Sequence, residues 1–122
     1  MKSLLTVSHG SRILEANNDM LHLAEEIGSA STNHFQFVRH AFLEFVAPSM
    51  EDQIEHLASK GVKDIVILPL FLTKGKHVSK DIPMIMEATS QKYQEISFTA
   101  SDHLGGFQSL KDVIIDELAS KS

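Results

Sequence analysis

The sequence contains no cysteine. This absence excludes disulfide bonds and thiolate metal sites, so a bound metal would have to be held by histidine, carboxylate or backbone oxygen. No apolar run approaches the roughly 20 residues of a membrane-spanning helix. The first residues, from Met1 to His9, hold too short an apolar stretch for a signal sequence. These absences predict a soluble, cytoplasmic protein without a membrane partner.

Several functional patterns are also missing. The 11 basic and 16 acidic residues are interspersed and give a net charge of −5 with no basic tract, so nucleic acid is not an expected partner. The sequence has neither a Gly-x-Gly-x-x-Gly motif nor a Walker loop, which leaves nucleotide chemistry without a phosphate cradle. The Gly-x-Ser-x-Gly frame of a nucleophile elbow is absent too, so hydrolase activity is a secondary interpretation.

What the sequence does contain is a regular alternation of two patterns. Four short β-like runs alternate with four helix-like segments, which is typical of a parallel sheet with helices on both faces. The length of 122 residues, 43% of them hydrophobic, fits a single domain over residues 1–122. We predict a three-layer α/β fold, β-α-β-α-β-α-β-α, with right-handed crossovers. The predicted strands are 4–7, 35–42, 65–68 and 96–100.

The helices are predicted from apolar stripes and from their ends. Gly28 is a plausible stop for the first helix, Pro48 and Ser49 mark the start of the second, and Gly61 follows its end. The third helix is predicted to start between residues 79 and 83. We expect the apolar stripes to belong to the core. They comprise Ala16, Met20, Leu23, Ala24 and Ile27; Met50, Ile54, Leu57 and Ala58; Ile85, Met86 and Ala88; and Leu110, Val113, Ile114 and Leu118.

Candidate functional residues lie where the strands end, because ligands of open α/β folds bind outside the carboxyl ends of the strands. His9 follows the first predicted strand, Glu44 the second, His77 lies in the loop after the third and His103 in the loop after the fourth. Two histidines and a carboxylate form a ligand set for borderline transition metals. We predict a divalent ion between His9 and His77. His9 could instead only fill its turn, and His103 could be a solvated loop residue.

The remaining histidines are weaker candidates. His22 and His56 lie on polar helix faces and His34 precedes a strand, so all three are expected at the surface. His40 lies inside the second predicted strand and is expected to be a hydrogen-bonded structural residue.

Together these segments resemble a known family, the small sirohydrochlorin chelatases of the CbiX and SirB kind, which are related in fold to ferrochelatase. The resemblance covers nearly the whole chain. One departure is Phe107, which stands where relatives often have a His-Pro pair. The matching segments are Ser8-His9-Gly10-Ser11-Arg12, Ala41-Phe42-Leu43-Glu44 with Pro48-Ser49, Pro69-Leu70-Phe71-Leu72, Gly75 with His77-Val78, Asp81-Ile82-Pro83, and Leu104-Gly105 with Leu110.

The resemblance implies a chelatase-like (flavodoxin-like) fold and an activity. The activity is insertion of a divalent metal ion, Co²⁺ or Fe²⁺ with Ni²⁺ as a further candidate, into sirohydrochlorin without ATP or an organic cofactor, in cobalamin or sirohaem biosynthesis. It further implies that His9 and His77 bind the metal, that His9 also accepts a proton, and that Glu44 delivers metal or accepts protons. The short form of the family is expected to act as a homodimer.

The resemblance also implies where the tetrapyrrole binds. The substrate is polyanionic, and a chain of net charge −5 would repel it unless the binding edge were locally basic. The expected substrate-binding residues are Arg12, Leu72, Thr73, Lys74, Gly75, Lys76 and His77, with Lys80 close by.

Two alternatives stay open at this point. The chain could be a metal or tetrapyrrole carrier that uses the same histidines without accelerating insertion. It could also be a flavodoxin-like interaction domain with incidental loop histidines. An absorbance assay of sirohydrochlorin with Co²⁺, Fe²⁺ or Ni²⁺ would separate the three functions.

Overall fold

The computed structural model describes residues 1–119 of the chain, and four strands alternate with four α-helices over this range. A π-helical turn precedes the third helix and a 3₁₀ turn precedes the fourth. The elements in chain order are β1 Lys2–Ser8, α1 Leu14–Ala30, β2 Phe35–Phe42, α2 Met50–Ser59, β3 Asp64–Pro69, the π-helical turn His77–Asp81, α3 Ile82–Lys92, β4 Ser97–Ala100, the 3₁₀ turn Leu104–Gly106 and α4 Leu110–Ala119.

The four strands form one parallel sheet in the order β2-β1-β3-β4. This confirms the predicted α/β class and the parallel arrangement. The predicted strand positions agree with the observed strands to within about two residues at each end, the limit to which strand ends are defined. Because β1 and β3 are central, the loops that follow them lie side by side at the carboxyl edge of the sheet.

The apolar core lies on the sheet face that α2 and α3 cover. Leu5, Val7, Ile65 and Ile67 point to this face and pack against apolar side chains of the two helices. Helix α2 begins at a capping box, in which the Ser49 hydroxyl accepts from the Asp52 backbone N–H and the Asp52 carboxylate accepts from the Ser49 N–H, both at 3.0 Å. The predicted start of the second helix is therefore confirmed.

Helix α1 covers β2 on the opposite face of the sheet. The prediction that Gly28 stops this helix is wrong, because α1 continues to Ala30. Gly28 lies inside the helix and faces β2, where a Cβ would make an ordinary van der Waals contact with Val38, 3.4 Å from its Cβ.

The predicted core stripe of the fourth helix is not buried. The side chains of Val113, Ile114 and Leu118 on α4 are 50 to 66% exposed, and α4 packs chiefly against the 3₁₀ turn. Leu23, which is 39% exposed, and Ala16 in the predicted stripe of α1 are also exposed, as is Ala88 in the predicted stripe of α3. Periodicity shows that a helix has an apolar face, but it does not show what covers that face. Across residues 1–119, no helix is long and apolar enough to cross a membrane.

Candidate metal centre

Loops after β1 and β2 are joined beyond the strand ends by two backbone hydrogen bonds. The N–H of Leu43 donates to the carbonyl of Ser8 at 3.0 Å, and the N–H of Glu44 donates to the carbonyl of His9 at 2.8 Å. Gly10 makes this approach possible, because it has φ +95° and any Cβ there would overlap the Glu44 carbonyl oxygen. The sheet and this glycine thus bring His9 beside Glu44.

Phe45 shapes the next part of the edge. Its φ of 72° lies in the left-handed region, which is uncommon for a bulky residue, and the Val46 N–H donates to the Glu44 carbonyl across it at 2.9 Å. The Phe45 ring meets the His9 ring edge-to-face at 5.6 Å, and the Arg12 guanidinium carbon lies 4.9 Å from its centre. The strained backbone therefore places an aromatic ring between His9 and Arg12, which no sequence pattern indicated.

His77 is the first residue of the π-helical turn that continues into α3, so its predicted position within a loop is wrong. Its Nδ1 lies 2.7 Å from Oδ2 of Asp81, four residues later. A carboxylate can only accept, so Nδ1 carries the hydrogen and the Nε2 lone pair is left for a metal. Asp81 was not among the predicted functional residues, although its spacing of four residues from His77 at the start of a helix was the available signal.

His9, Glu44 and His77 meet at this edge. The His9 Nε2 lies 3.1 Å from Oε2 of Glu44, and the centres of the His9 and His77 rings are 4.7 Å apart. One ligand atom from each residue lies within 4.8 Å of the others. Two atoms bound to one ion at about 2.1 Å are roughly 3 to 4 Å apart. Small side-chain rotations would therefore bring all three onto one ion.

Solvent reaches this centre from outside the sheet. The side chains of His9, Glu44 and His77 are 40%, 50% and 29% exposed, respectively. Three ligands on one side of an ion leave coordination positions open on the other. The arrangement can therefore present a bound ion to a second, large ligand.

His103 lies apart from the three-residue centre, in the loop after β4. Its Nδ1 is 2.9 Å from Oδ1 of Asp102, and it immediately precedes the 3₁₀ turn. This loop rests on the loop after β3, since the Gly105 N–H donates to the Phe71 carbonyl at 3.0 Å. A Cβ at Gly105 would overlap backbone atoms of Leu72. His103 therefore belongs to the supporting loop.

The predicted substrate residues form an open surface beside the centre. Leu72 is 70% exposed, and Thr73, Lys74, Gly75 and Lys76 are exposed between β3 and the π-helical turn. Arg12 and Lys80 are exposed as well, so the segments that carry His9 and His77 both present basic side chains.

Comparison with known proteins assigns the family. The family model described as CbiX matches residues 3–121. The chain belongs to the CbiX family. It is 35% identical over 92 residues to the sirohydrochlorin cobaltochelatase of Sulfolobus acidocaldarius, a match that covers 75% of this chain and 72% of the relative. It is 30% identical over 121 residues to the enzyme of the same name from Saccharolobus solfataricus, covering 94% and 91% of the two chains.

Solved structures support the fold of this CbiX-family chain. A crystal structure of a CbiX protein from Marinobacter aquaeolei has a TM-score of 0.81 and 20% identity, with 99% of this chain and 94% of that chain covered. SirB of Bacillus subtilis subspecies spizizenii, in complex with cobalt, has a TM-score of 0.84 and 22% identity and covers 98% of this chain. SirB of Bacillus subtilis with Fe³⁺ has the same TM-score and 21% identity and covers 99%. The chain spans about half of each SirB chain, 50% and 47%.

The other histidines of this CbiX-family chain stand outside the centre. His22, His34 and His56 are exposed, as predicted. His40 is 2% exposed, with Nδ1 2.7 Å from the Thr6 hydroxyl and Nε2 2.7 Å from the Ser8 hydroxyl. Burial lowers the pKa of His40 from 6.5 to about 4, so the ring is neutral at physiological pH. His40 is a structural residue, which confirms the prediction.

Proposed function

We propose that this chain is a sirohydrochlorin chelatase that inserts a divalent metal ion into the macrocycle without ATP. The observation that carries the proposal is the His9, Glu44 and His77 centre at the carboxyl edge of the sheet. The relatives named sirohydrochlorin cobaltochelatase, matched over most of the chain, supply the substrate class. A non-catalytic carrier has no specific observation in its favour.

The proposed roles follow from the hydrogen bonds of the centre. His77 would bind the ion through Nε2, because Asp81 occupies Nδ1. His9 Nε2 faces the Glu44 carboxylate at 3.1 Å. An imidazole nitrogen has one lone pair, so it can hold the ion or a proton but not both at once. We propose that His9 Nε2 first binds the ion and, after the ion has passed to the macrocycle, accepts a pyrrole proton.

Metal insertion replaces two pyrrole N–H protons with one divalent ion, so the site must hold an ion and also remove protons. Glu44 is suited to both tasks because its carboxylate adjoins His9 and is half-exposed. We propose that Glu44 attracts the ion and accepts a proton from the macrocycle, directly or through His9.

We further propose that the macrocycle lies over the exposed loop after β3. Leu72, Thr73, Lys74, Gly75, Lys76 and His77 would line its binding surface. Leu72 and Phe45, which are 70% and 50% exposed, offer apolar contacts, while Arg12, Lys74 and Lys76 can pair with carboxylates of the substrate.

The metal ion is a substrate in this proposal, and no organic cofactor is involved. We propose Co²⁺ or Fe²⁺, with Ni²⁺ as a further candidate, because imidazole and carboxylate ligands accept several first-row divalent ions. The relatives' name favours cobalt, and the SirB structures contain cobalt or Fe³⁺. Cobalt would place the activity in cobalamin biosynthesis and iron in sirohaem biosynthesis.

We propose that residues 1–122 act as one domain, in the cytoplasm, and that two copies form a homodimer. Apolar side chains exposed near the carboxyl edge, including Ile13, Leu14 and Phe107, support an assembly that covers this edge. Nucleic acid is not a proposed partner.

Glu44→Gln is the decisive variant. It retains size and hydrogen bonding but removes the charge, so we expect insertion of Co²⁺ to slow by about 10²-fold or more, the range usual for a positioned acid or base. The measurement is the absorbance change of sirohydrochlorin at saturating metal.

The matched control is Glu26→Gln, which alters an exposed His–Glu pair, His22 with Glu26 at 3.4 Å, on α1. It should insert metal at the parental rate. Parental turnover by Glu44→Gln would remove Glu44 from the mechanism. A parental protein that binds Co²⁺ yet does not accelerate insertion would establish the carrier function instead.

A further inference from the structure

Arg12 and Glu44 carry opposite charges at the same edge of the sheet, yet they do not form an ion pair. Glu44 is paired with His9 at 3.1 Å. Within residues 1–119, the Arg12 guanidinium has no carboxylate partner, and its carbon lies 4.9 Å from the centre of the Phe45 ring instead. The residue that follows Glu44 in the chain therefore holds the arginine that Glu44 itself would attract.

The backbone next to Arg12 is fixed, so only its side chain can move between partners. Asn17, which is 5% exposed in α1, accepts from the Ser11 N–H at 2.9 Å and donates to the Ser11 carbonyl at 2.7 Å. Gly10 lies against the Glu44 carbonyl and precedes Arg12 by two residues, which span at most about 7 Å. The long side chain of Arg12 can therefore reach the Glu44 carboxylate without a change in the backbone.

The Phe45 ring is placed for this contact by its own backbone. With φ at 72° and a half-exposed side chain, the ring lies at the edge of the sheet and outside the core. It also meets the His9 ring edge-to-face at 5.6 Å. A phenyl face attracts a cation but accepts no conventional hydrogen bond, so an arginine held there keeps its N–H donors for another molecule.

We propose that Phe45 is a positioning residue that holds Arg12 away from Glu44. The Glu44 carboxylate is thereby kept for the metal ion, and the guanidinium is kept for a carboxylate of the tetrapyrrole. This inference deepens the proposed function and rests on it, because it requires the metal centre of His9, Glu44 and His77. Without the aromatic face, Arg12 would pair with Glu44 and compete with the metal ion.

The two contacts between which Arg12 chooses are similar in strength. At an exposed site, a cation over an aromatic face shifts an equilibrium by about 2- to 5-fold, and an ion pair shifts it by up to about 5-fold. Loss of the ring is therefore enough to move Arg12 towards Glu44. The affinity for Co²⁺ should fall by a factor of the same size.

Calorimetric titration with Co²⁺ tests this competition, with Phe45→Leu as the first variant. Leucine keeps apolar bulk and is disfavoured by the same φ, but it has no aromatic face. We expect Phe45→Leu to lower the Co²⁺ affinity by about 2- to 5-fold, and Phe45→Tyr, which keeps the face, to lower it less. Adding Arg12→Gln to Phe45→Leu should restore the parental affinity, because no guanidinium is left to pair with Glu44.

A double-mutant cycle separates this rescue from a general loss of positive charge. Arg12→Gln should raise the Co²⁺ affinity less in the parent than in the Phe45→Leu variant. The matched control is Lys92→Gln, which removes the cation of a similar pair at the end of α3, where the Lys92 nitrogen lies 5.4 Å from the centre of the Tyr93 ring. Added to Phe45→Leu, Lys92→Gln should leave the lowered affinity as it is.

The outcomes distinguish the role of Phe45 from the chelatase function. Parental Co²⁺ affinity in Phe45→Leu would overturn the proposed role, and so would a loss that Arg12→Gln does not restore, since the ring would then act through His9 alone. A parental chain that binds no Co²⁺ would refute the metal centre and everything that rests on it. A chain that binds Co²⁺ and shows the rescue, yet inserts no metal, would refute the chelatase function alone.

Discussion

Asp81 determines which nitrogen of His77 stays free. Its carboxylate holds Nδ1–H at 2.7 Å, which fixes the tautomer and limits rotation of the ring. Partners of this kind are usually worth 10- to 100-fold in metal affinity. Asp81 does not belong to the three-ligand centre, so its contribution is positional.

We predict that Asp81→Asn lowers the affinity for Co²⁺ by about 10-fold or more, because an amide can also donate and no longer selects the tautomer. Titration calorimetry with Co²⁺ measures the change. Asp102→Asn is the matched control, since it alters a His–Asp pair, with His103 at 2.9 Å, outside the centre. Equal Co²⁺ affinity in the parent and in Asp81→Asn would show that Asp81 has no positioning role.

At the scale of elements, the site depends on how closely the loops after β1 and β2 approach each other. Gly10 has φ +95°, and a Cβ there would overlap the Glu44 carbonyl, whereas a Cβ at Gly61, with φ +79°, would meet no atom within 4 Å. The positive φ disfavours a side chain at both positions. Of the two, only Gly10 also lies where the loops after β1 and β2 come into contact.

We therefore predict that Gly10→Ala weakens Co²⁺ binding as well as folding, because the loops must move apart. Gly61→Ala should lower the free energy of unfolding by about 1 kcal/mol and leave Co²⁺ affinity unchanged. Urea unfolding and Co²⁺ titration of both variants provide the comparison. If both variants bind Co²⁺ like the parent, the close approach at Gly10 is not needed for the site.

At the scale of the whole molecule, the two faces of the sheet are packed with different chemistry. The face covered by α2 and α3 is apolar, whereas the α1 face buries Thr6, Ser8 and His40 in one hydrogen-bonded group. The Thr6 hydroxyl donates to the Arg39 carbonyl at 3.2 Å, so His40 Nδ1–H donates to Thr6 and Nε2 accepts from Ser8. Protonation of His40 would break this arrangement.

This packing predicts a pH dependence of stability. The pKa of His40 is about 4 in the folded chain and near 6.5 when unfolded, so between these values the unfolded state binds a proton that the folded state does not. The free energy of unfolding should fall as the pH falls, by about 1 kcal/mol per unit between about pH 6 and 5. Urea unfolding across this range measures it.

The control for this prediction is His56→Asn, which changes an exposed histidine and should leave the pH dependence as it is. In the His40→Asn variant the free energy of unfolding should fall less between pH 6 and 5 than in the parent, even if the variant is less stable at neutral pH. A free energy of unfolding that stays constant between pH 6.5 and 5 in the parent would contradict a buried neutral His40.

The order and type of the elements follow from the residue pattern alone. Short apolar runs rich in Val, Ile and Leu, separated by segments of helical periodicity, admit little besides a parallel sheet with crossover helices. That topology brings the strand ends to one edge. His9, Glu44 and His77 could therefore be predicted as neighbours from their positions after the strands, although 67 residues lie between the two histidines. The start of α2 could also be predicted, because a helix N-cap such as Ser49 depends only on residues close to it in the sequence.

Tertiary structure decided what depends on contacts between distant segments. Gly28 resembles a helix stop, yet α1 continues past it to Ala30, and the glycine faces Val38 of β2. The stripe on α4 resembles core, because periodicity records an apolar face and not the surface that covers it. The tautomer of His77, the left-handed turn at Phe45 and the tight fit of Gly10 against Glu44 likewise arise from distances of a few ångströms, which no residue pattern encodes.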